Sequence, residues 1–481
     1  MKTIVILGAG PAGIALALQL KRKLGPGAEV VVLEKAPRIG GISASFEHKG
    51  LYLDYGSHRL HPVLNTQVLQ DIQSLLGPDL RLRPRNGRIR LSGRYVKFPP
   101  NPIDCLRHLP SPFTRGLVFD ILQKPFRKSS RAPASFADAL LQGLGSTICH
   151  HFYFPYARKL WGLAPEDISA DQARRRVAAG HIGKLIGKVF SPTRAMQKVF
   201  YYPRRGFGQI TEAMAREFEK LGGKILLSQA VSEISLTDNQ PLQLAYSRAV
   251  EASAPSHPSQ NTEKSTLSAD YIFSTIPINR LLDYLNPPPP AEVQTAGRKV
   301  RYRAMIFCYL ILNTDRFSPH DAHYFPENDV VFSRLSEPKN YSGTQKPRGR
   351  TGLCAEIPCE KGGRLWNTTE ADLIGRVIHD LSCCDLPLPG PLETAFTRRL
   401  SHVYPIYDLN YARHLRTIRN HIEHRDRIIS LGRQGLFIHN NVHHVLDMAR
   451  AAADCLQTDY RWDANRWRAH INTFQTTTVE D

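Results

Sequence analysis

The stretch VILGAGPAGIALAL, residues 5–18, decides the fold, and VVLEKAPRIGGIS, residues 31–43, completes the signal. Ile4 to Leu7 form the short apolar run expected of a buried parallel strand. Gly8, Gly10 and Gly13 then give G-x-G-x-x-G. In such a turn the first glycine permits the sharp bend. The second lets the backbone approach a pyrophosphate, and the third lets the next helix lie close to the strand. A helix from about Ala12 to Lys23 aims its amides and its dipole at the phosphates, with Pro11 at its start. A second strand, Glu29 to Leu33, ends at Glu34, placed to accept hydrogen bonds from a ribose diol. A signal peptide does not fit, because Gly-x-Gly-Pro breaks the apolar stretch and a small-residue cleavage site is missing.

The chain has 481 residues, enough for two or three domains with sizeable cores. No uninterrupted apolar run reaches transmembrane length. The net charge of +20 is spread along the chain and not gathered in one tail. That distribution fits anionic substrates or a loose peripheral membrane contact at least as well as nucleic acid. A nucleic-acid binder is disfavoured because no basic–aromatic interleaved motif is present. The eight cysteines show neither C-x-x-C pairing nor zinc spacing, so free thiols in a reducing cytoplasm are expected.

Residues 1–60 read as a βαβ start. RLRPRNGRIRLSGRYVKF, residues 81–98, alternates and carries NG and SG turn signals, predicting strands joined by hairpins. From Pro102 to Val199 the pattern turns helical. An amphipathic helix ends at Gly222-Gly223, two short strands follow in KILLSQAVSEISL, and residues 252–268 read as a mobile loop. ADYIFSTIP predicts a buried strand and PPPP at 287–290 a stiff linker. Further strands fall in 300–360, and the tail from Arg427 reads as strand, glycine-containing loop and helix. The nucleotide fold therefore leaves after its start and returns at 200–280 and 425–460. A simple dehydrogenase does not need that interruption. A flavoprotein does, because the isoalloxazine ring must be walled in by a second domain.

The run EKAPRIGGIS, with Glu34, Lys35, Arg38, Gly40 and Gly41, resembles the continuation of the FAD fingerprint in the amine oxidase, protoporphyrinogen oxidase and UDP-galactopyranose mutase superfamily. Among its branches, the UDP-galactopyranose mutase-like flavoproteins are the most similar. Their pattern is resembled in order by LYLDYGSHRLH (51–61), NGRIRLSGRYVKFPPNP (86–102), YARKLWG (156–162) and YYPRRGFGQI (201–210). FSRLSEPKNYS (332–342), YPIYDLNY (404–411) and LGRQGLFIHNNVHH (431–444) continue it. The resemblance implies an α/β fold: a Rossmann-like FAD-binding domain with a parallel sheet, an inserted helical domain and a mixed β-sheet substrate domain. The expected division is 1–80, 200–280 and 425–465 for FAD, 81–100 and 300–410 for the substrate sheet, and 102–199 for the helices.

The resemblance also implies site roles. FAD would meet Gly8, Gly10, Pro11, Ala12 and Gly13 at the pyrophosphate and Glu34 at the adenosine ribose. Gly40 and Gly41 would lie close to the ribityl chain, Lys35 and Arg38 would also contact the cofactor, Val231 would sit by the adenine, and His58, Gly432, Arg433 and Asn441 by the flavin. NAD is the rival ligand for the first motif alone; the Arg38–Gly40–Gly41 extension argues for FAD. In the mutases a reduced flavin N5 is the nucleophile towards a nucleotide sugar. Arg175 and Arg334 match the arginines on the diphosphate, with Arg174 and Arg176 leaving that register open by one. Tyr156, Trp161 and Tyr404 match positions lining the substrate cleft, against the plainer reading of Trp161 as a core aromatic. His58 matches a histidine beside the flavin ring, expected either to tune flavin protonation or to orient substrate near neutral pH. Ser57, Arg59 and Asn441 depart from the mutase pattern. HNNVHH (439–444) is not expected to bind a metal, since His439 and His443 need not share a face.

Two activities follow from the resemblance. The first is an FAD-dependent oxidoreductase acting on a small molecule. The alternative is a redox-neutral nucleotide-sugar mutase, an isomerase, with NAD(P)H as a reductant that would keep the flavin reduced.

Overall fold

The computed structural model describes residues 1–99, 102–123, 132–176, 198–236, 241–249 and 264–479. The strand Lys2–Leu7 lies at the centre of a five-stranded parallel sheet. Its order is Ile428–Ser430, Tyr271–Ser274, Lys2–Leu7, Ala28–Leu33, Lys224–Leu226. The central strands Lys2–Leu7, Ala28–Leu33 and Tyr271–Ser274 meet because each carries an apolar run that a sheet covered on both faces can bury, whereas Lys224–Leu226 is a half-exposed edge. One face receives the helices Pro11–Leu24, Gln209–Lys220 and Val442–Cys455. On the other face lie the helix Tyr411–Glu423 and part of a four-stranded sheet, 229–235, 242–248, 265–269 and 285–286.

A seven-stranded mixed sheet forms the second layer system. The long strands Arg301–Leu312, Thr351–Cys359 and Leu392–Ile406 pair antiparallel, with Arg301–Leu312 between the other two. Arg334–Ser336, Ala322–Tyr324 and the hairpin Gly87–Leu91/Arg94–Phe98 extend it. A buried acid ties the hairpin of strands Ser45–His48 and Leu51–Asp54 to the segment that leads into helix Gln209–Lys220. Asp54 accepts from Ser45 Oγ (2.5 Å), the Phe207 amide (3.0 Å) and Tyr202 Oη. Burial pushes its carboxyl up to about 6, the hydrogen bonds pulling the other way.

Three details differ from the sequence expectation. Ser92-Gly93 makes a hairpin turn, but Asn86-Gly87 does not. The strand Leu80–Pro84 pairs instead with Val199–Pro203, because the Asn86 amide and side chain are drawn to Asp321 (3.0 Å) and the Pro319 carbonyl (2.7 Å). Val199 consequently opens a strand and does not close a helical region. Of the expected 252–268 loop, residues 252–263 lie outside the described residues. Ser265–Ala269 is a strand, because Leu267 and Ala269 pair with Leu244 and Leu242 and bury there.

The helix Pro11–Leu24 reaches its strand only through Gly13. A Cβ there would stand 1.9 Å from the Gly8 carbonyl oxygen, a backbone atom that cannot move aside. Gly13→Ala is therefore expected to lower the stability of the apoprotein by about 1–3 kcal/mol, read by denaturant unfolding. An unchanged midpoint would show that the helix tolerates retreat from the strand.

Candidate active site

The nucleotide turn is built to receive something it does not itself contain. Gly8 has φ +101°, and Gly40 and Gly41 have φ +97° and +54°. The Gly40 amide donates to the Ala9 carbonyl (2.8 Å), and a Cβ on Gly41 would come within 3.3 Å of the Gly10 Cα. Glu34 closes the cradle: one carboxylate oxygen accepts from the Ala9 amide and the other from Ala36, both at 2.8 Å. Gly10 is different. Its φ of −74° suits any residue, and a Cβ there would meet nothing within 4 Å. The helix that follows has no side-chain cap and no acid in its first turn. Its N-terminal amides thus have no side-chain acceptor of their own, the arrangement that binds a pyrophosphate.

Pro11 and Ala12 are buried in that first turn, and Ala12 is the contact point for the second half of the site. Gly432, at φ +78°, lies so close that a Cβ would reach 2.8 Å from the Ala12 Cβ. Arg433 follows on the short helix Gly432–Gly435 and donates to the Asn440 carbonyl. Arg38 lies over the Tyr55 ring at 4.1 Å, Lys35 is exposed, and half-buried Val231 sits at a bulge in the strand Gln229–Ser235. That strand starts at Glu34: the Gln229 amide donates to the Glu34 carbonyl (2.8 Å).

Beside Gly432 a cleft opens between the two layer systems. The turn at Ser57–Arg59 and the Arg433–Asn441 segment border it on one side. The mixed sheet contributes Tyr324, Arg334, Glu356 and Tyr404, and the helical region Tyr156 and Arg176. The cleft is strongly cationic. Arg59, Arg85, Arg176, Arg334 and Arg433 line it, and Glu356 is its lone lining carboxylate among the described residues. Arg334 meets Glu356 with two parallel bonds, 2.8 and 2.7 Å, which hold its guanidinium well above the usual range against the cost of burial. Glu356 also accepts from the Ser57 amide (2.8 Å). Arg59 pairs with Asp321 (2.9 Å) and donates to Tyr324 and Tyr341. Ser57, a departure noted in the sequence, hydrogen-bonds Tyr341 Oη.

Several sequence expectations are corrected here. Arg176, not Arg175, enters the cleft; Arg175 is buried with its guanidinium 5.6 Å from the Tyr407 ring. Trp161 does not line the cleft. It is a core aromatic, edge-on to Phe136 at 5.5 Å. His58 lines the cleft, and burial holds its ionisation below the neutral range. Its Nε2 lies 3.0 Å from both the Ile42 and Tyr55 carbonyls, so Nε2 carries the proton and Nδ1 is the acceptor. Burial, with Arg334 and Arg433 nearby, lowers its ionisation to about 4. Asn441 borders the cleft as the residue before helix Val442–Cys455, its amide donating to His444 Nδ1 (3.2 Å). His439 is stacked on Tyr404 (5.1 Å) and bonded to Gln172 and Arg176. Among the described residues no cluster of His, Cys, Asp or Glu could hold a metal ion.

A sequence model of the flavin-containing amine oxidoreductases matches residues 11–409. The chain belongs to that family. Its cofactor is FAD, and the open cradle above Gly10 and the uncapped helix fit it. Among curated proteins it is 22% identical to a lycopene-forming phytoene desaturase of Pantoea ananas over 50% of this chain and 51% of that one. It is 25% identical to an L-amino-acid oxidase of Crotalus adamanteus over 63% and 56%. The chain thus spans about half the length of these relatives. A reduced UDP-galactopyranose mutase shares the fold across 100% of both chains, at TM-score 0.78 and 20% identity. Putrescine oxidase bound to putrescine matches at 0.60 and 15%, over 94% of this chain and 98% of that one.

Two tests follow from this geometry. Gly10→Val should leave apoprotein stability unchanged, because its side chain enters empty space, and should abolish FAD retention; loss of stability without loss of FAD would contradict the cradle. His58 gives the pH test. The unfolded histidine binds its proton below about 6.5 and the folded one only below about 4, so stability falls as pH drops through that window. His58→Gln should make the fall between pH 6.5 and 4 shallower in denaturant titrations.

Proposed function

We propose that this flavoenzyme oxidises a small anionic molecule, one bearing a phosphate or carboxylate, within the arginine-lined cleft. The gathering of five arginines along the cleft wall is the observation that supports this. A cationic amine would enter against that field, and Glu356 is already held by Arg334. When bound, FAD supplies a ring that accepts a hydride, or in its reduced form a nucleophilic nitrogen. The protein's contribution is placement. Arg176 and Arg433 present planar donors to an anionic group, and Tyr404 and Tyr156 supply aromatic walls. Neutral His58 offers Nδ1 as a hydrogen-bond acceptor across the neutral pH range.

A second reading, a nucleotide-sugar mutase, is favoured by one specific observation: Tyr156, Arg176, Arg334 and Tyr404 all line the same cleft. A nucleoside diphosphate would satisfy the same cations. Turnover separates the readings, since an oxidase consumes an electron acceptor and a mutase consumes none.

The test is a difference-spectral titration of the FAD-loaded protein with UDP, UDP-galactose, an alkyl phosphate, a carboxylate and putrescine. Anions are expected to perturb the flavin spectrum and putrescine is not. Arg176→Ala should weaken anion binding about tenfold or more while retaining FAD, as for a lost charge-assisted hydrogen bond. A preference for putrescine would overturn the proposal. Arg334→Ala is a poorer probe: it leaves Glu356 buried and unpaired, at a cost of about 3–5 kcal/mol in stability.

A further inference from the structure

Of the eleven large hydrophobic side chains exposed among the described residues, five fall within 102–123. They are Ile103, Val118, Phe119, Ile121 and Leu122, and Phe119 and Leu122 are 59% and 67% exposed. Within the helix Ser111–Gln123, Arg115, Val118, Phe119 and Leu122 stand at i, i+3, i+4 and i+7, on a single face. The other face is seated on the protein. Phe113 is buried edge-on to His151 at 5.1 Å. Asp120 is buried and accepts from the Ser146 and Thr147 amides, at 3.2 and 2.7 Å. Gly116 lies against Thr147, so closely that a Cβ would meet its Oγ1 at 2.6 Å.

The charges of this segment are sorted in the same way. Its two carboxylates are engaged: Asp120 as above, and Asp104 by the Lys97 amide (2.7 Å) and by His108 (3.3 Å). The exposed arginines are Arg107 and Arg115. The outward face therefore combines contiguous apolar side chains with positive charge and offers no outward carboxylate.

We propose that this face docks on an anionic phospholipid surface. Phe119, Ile121 and Leu122 would enter the boundary between headgroups and acyl chains, with Arg107 and Arg115 at the lipid phosphates. An apolar stripe flanked by basic residues is the composition that lies in a membrane interface. The overall charge of +20 adds to the attraction. Among the described residues no helix is long and apolar enough to cross a bilayer, so the contact is peripheral. A second copy of the chain is a poorer occupant, since a two-fold interface would set the same arginines facing each other. The docked helix is connected to the cleft wall through neighbouring aromatics, Phe113 against His151 and Phe152 against Tyr156.

The test is flotation of the full FAD-loaded chain with vesicles of phosphatidylcholine alone or with roughly one-quarter phosphatidylglycerol. Binding is expected on the anionic vesicles at low salt, and about tenfold less on phosphatidylcholine alone or at high salt. Phe119→Asp combined with Leu122→Asp should reduce binding at least about tenfold with FAD retention unchanged. Arg115→Glu should reduce it less and flatten the salt dependence. If the double variant does not fold, Arg115→Glu decides alone, and unchanged binding by it overturns the proposal. No flotation, or flotation indifferent to these variants, overturns it. So does self-association abolished by the double variant, which would make a second copy the occupant.

Discussion

The absence of a side chain at position 13 is the constraint on which the rest of the molecule depends. Helix Pro11–Leu24 lies against strand Lys2–Leu7 because Gly13 lets the Gly8 carbonyl within contact distance of its backbone. That approach sets where the helix N-terminus points. It brings Ala9 within reach of Glu34, and Ala12 under Gly432. The Arg433 turn is thereby fixed to the nucleotide helix, and the cleft begins where the cofactor cradle ends. Two glycines in one motif thus do opposite work. Gly13 is filled by the protein itself, whereas Gly10 leaves room for a ligand.

The cleft follows a second constraint, the handling of buried charge. Five guanidiniums in one partly enclosed wall repel each other and lose hydration. Arg334 and Arg59 are each anchored by a carboxylate, Glu356 and Asp321. Arg433 is held by the neutral Asn440, and Arg176 donates to a histidine that burial keeps neutral. The first two stiffen the wall. An anion is the ligand we propose for this wall. The lowered His58 ionisation comes chiefly from burial, which the nearby Glu356 only partly offsets.

Much of the nucleotide half was legible in the sequence because its signals are local. Glycine spacing, an apolar run and an acid at the end of the next strand are read within forty residues. The return of the nucleotide fold was also legible, in the apolar runs at 271–274 and 428–430 that supply two further strands of the parallel sheet. The cleft was less legible because its register and pairing are tertiary. Three consecutive arginines at 174–176 carry no mark of which faces inward; the helix turn decides for Arg176. Glu356 sits in an apolar strand of the mixed sheet, and only the pairing of Arg334 with Glu356 across neighbouring strands reveals its partner. Asn86-Gly87 looked like a hairpin turn because the competing acceptor, Asp321, is 235 residues away. The one available hint for Glu356 was an isolated acid inside an otherwise buried strand, which calls for a cation nearby.

The central claim is that the open cradle above Gly10 and the carboxylate of Glu34 select a dinucleotide flavin. Calorimetric titration of the apoprotein with FAD and with FMN tests it most directly, because FMN lacks the pyrophosphate bridge and the adenosine ribose. One FAD should bind per chain, with FMN at least about a hundredfold weaker. Equal affinity for FMN, or no binding of either, would contradict the account.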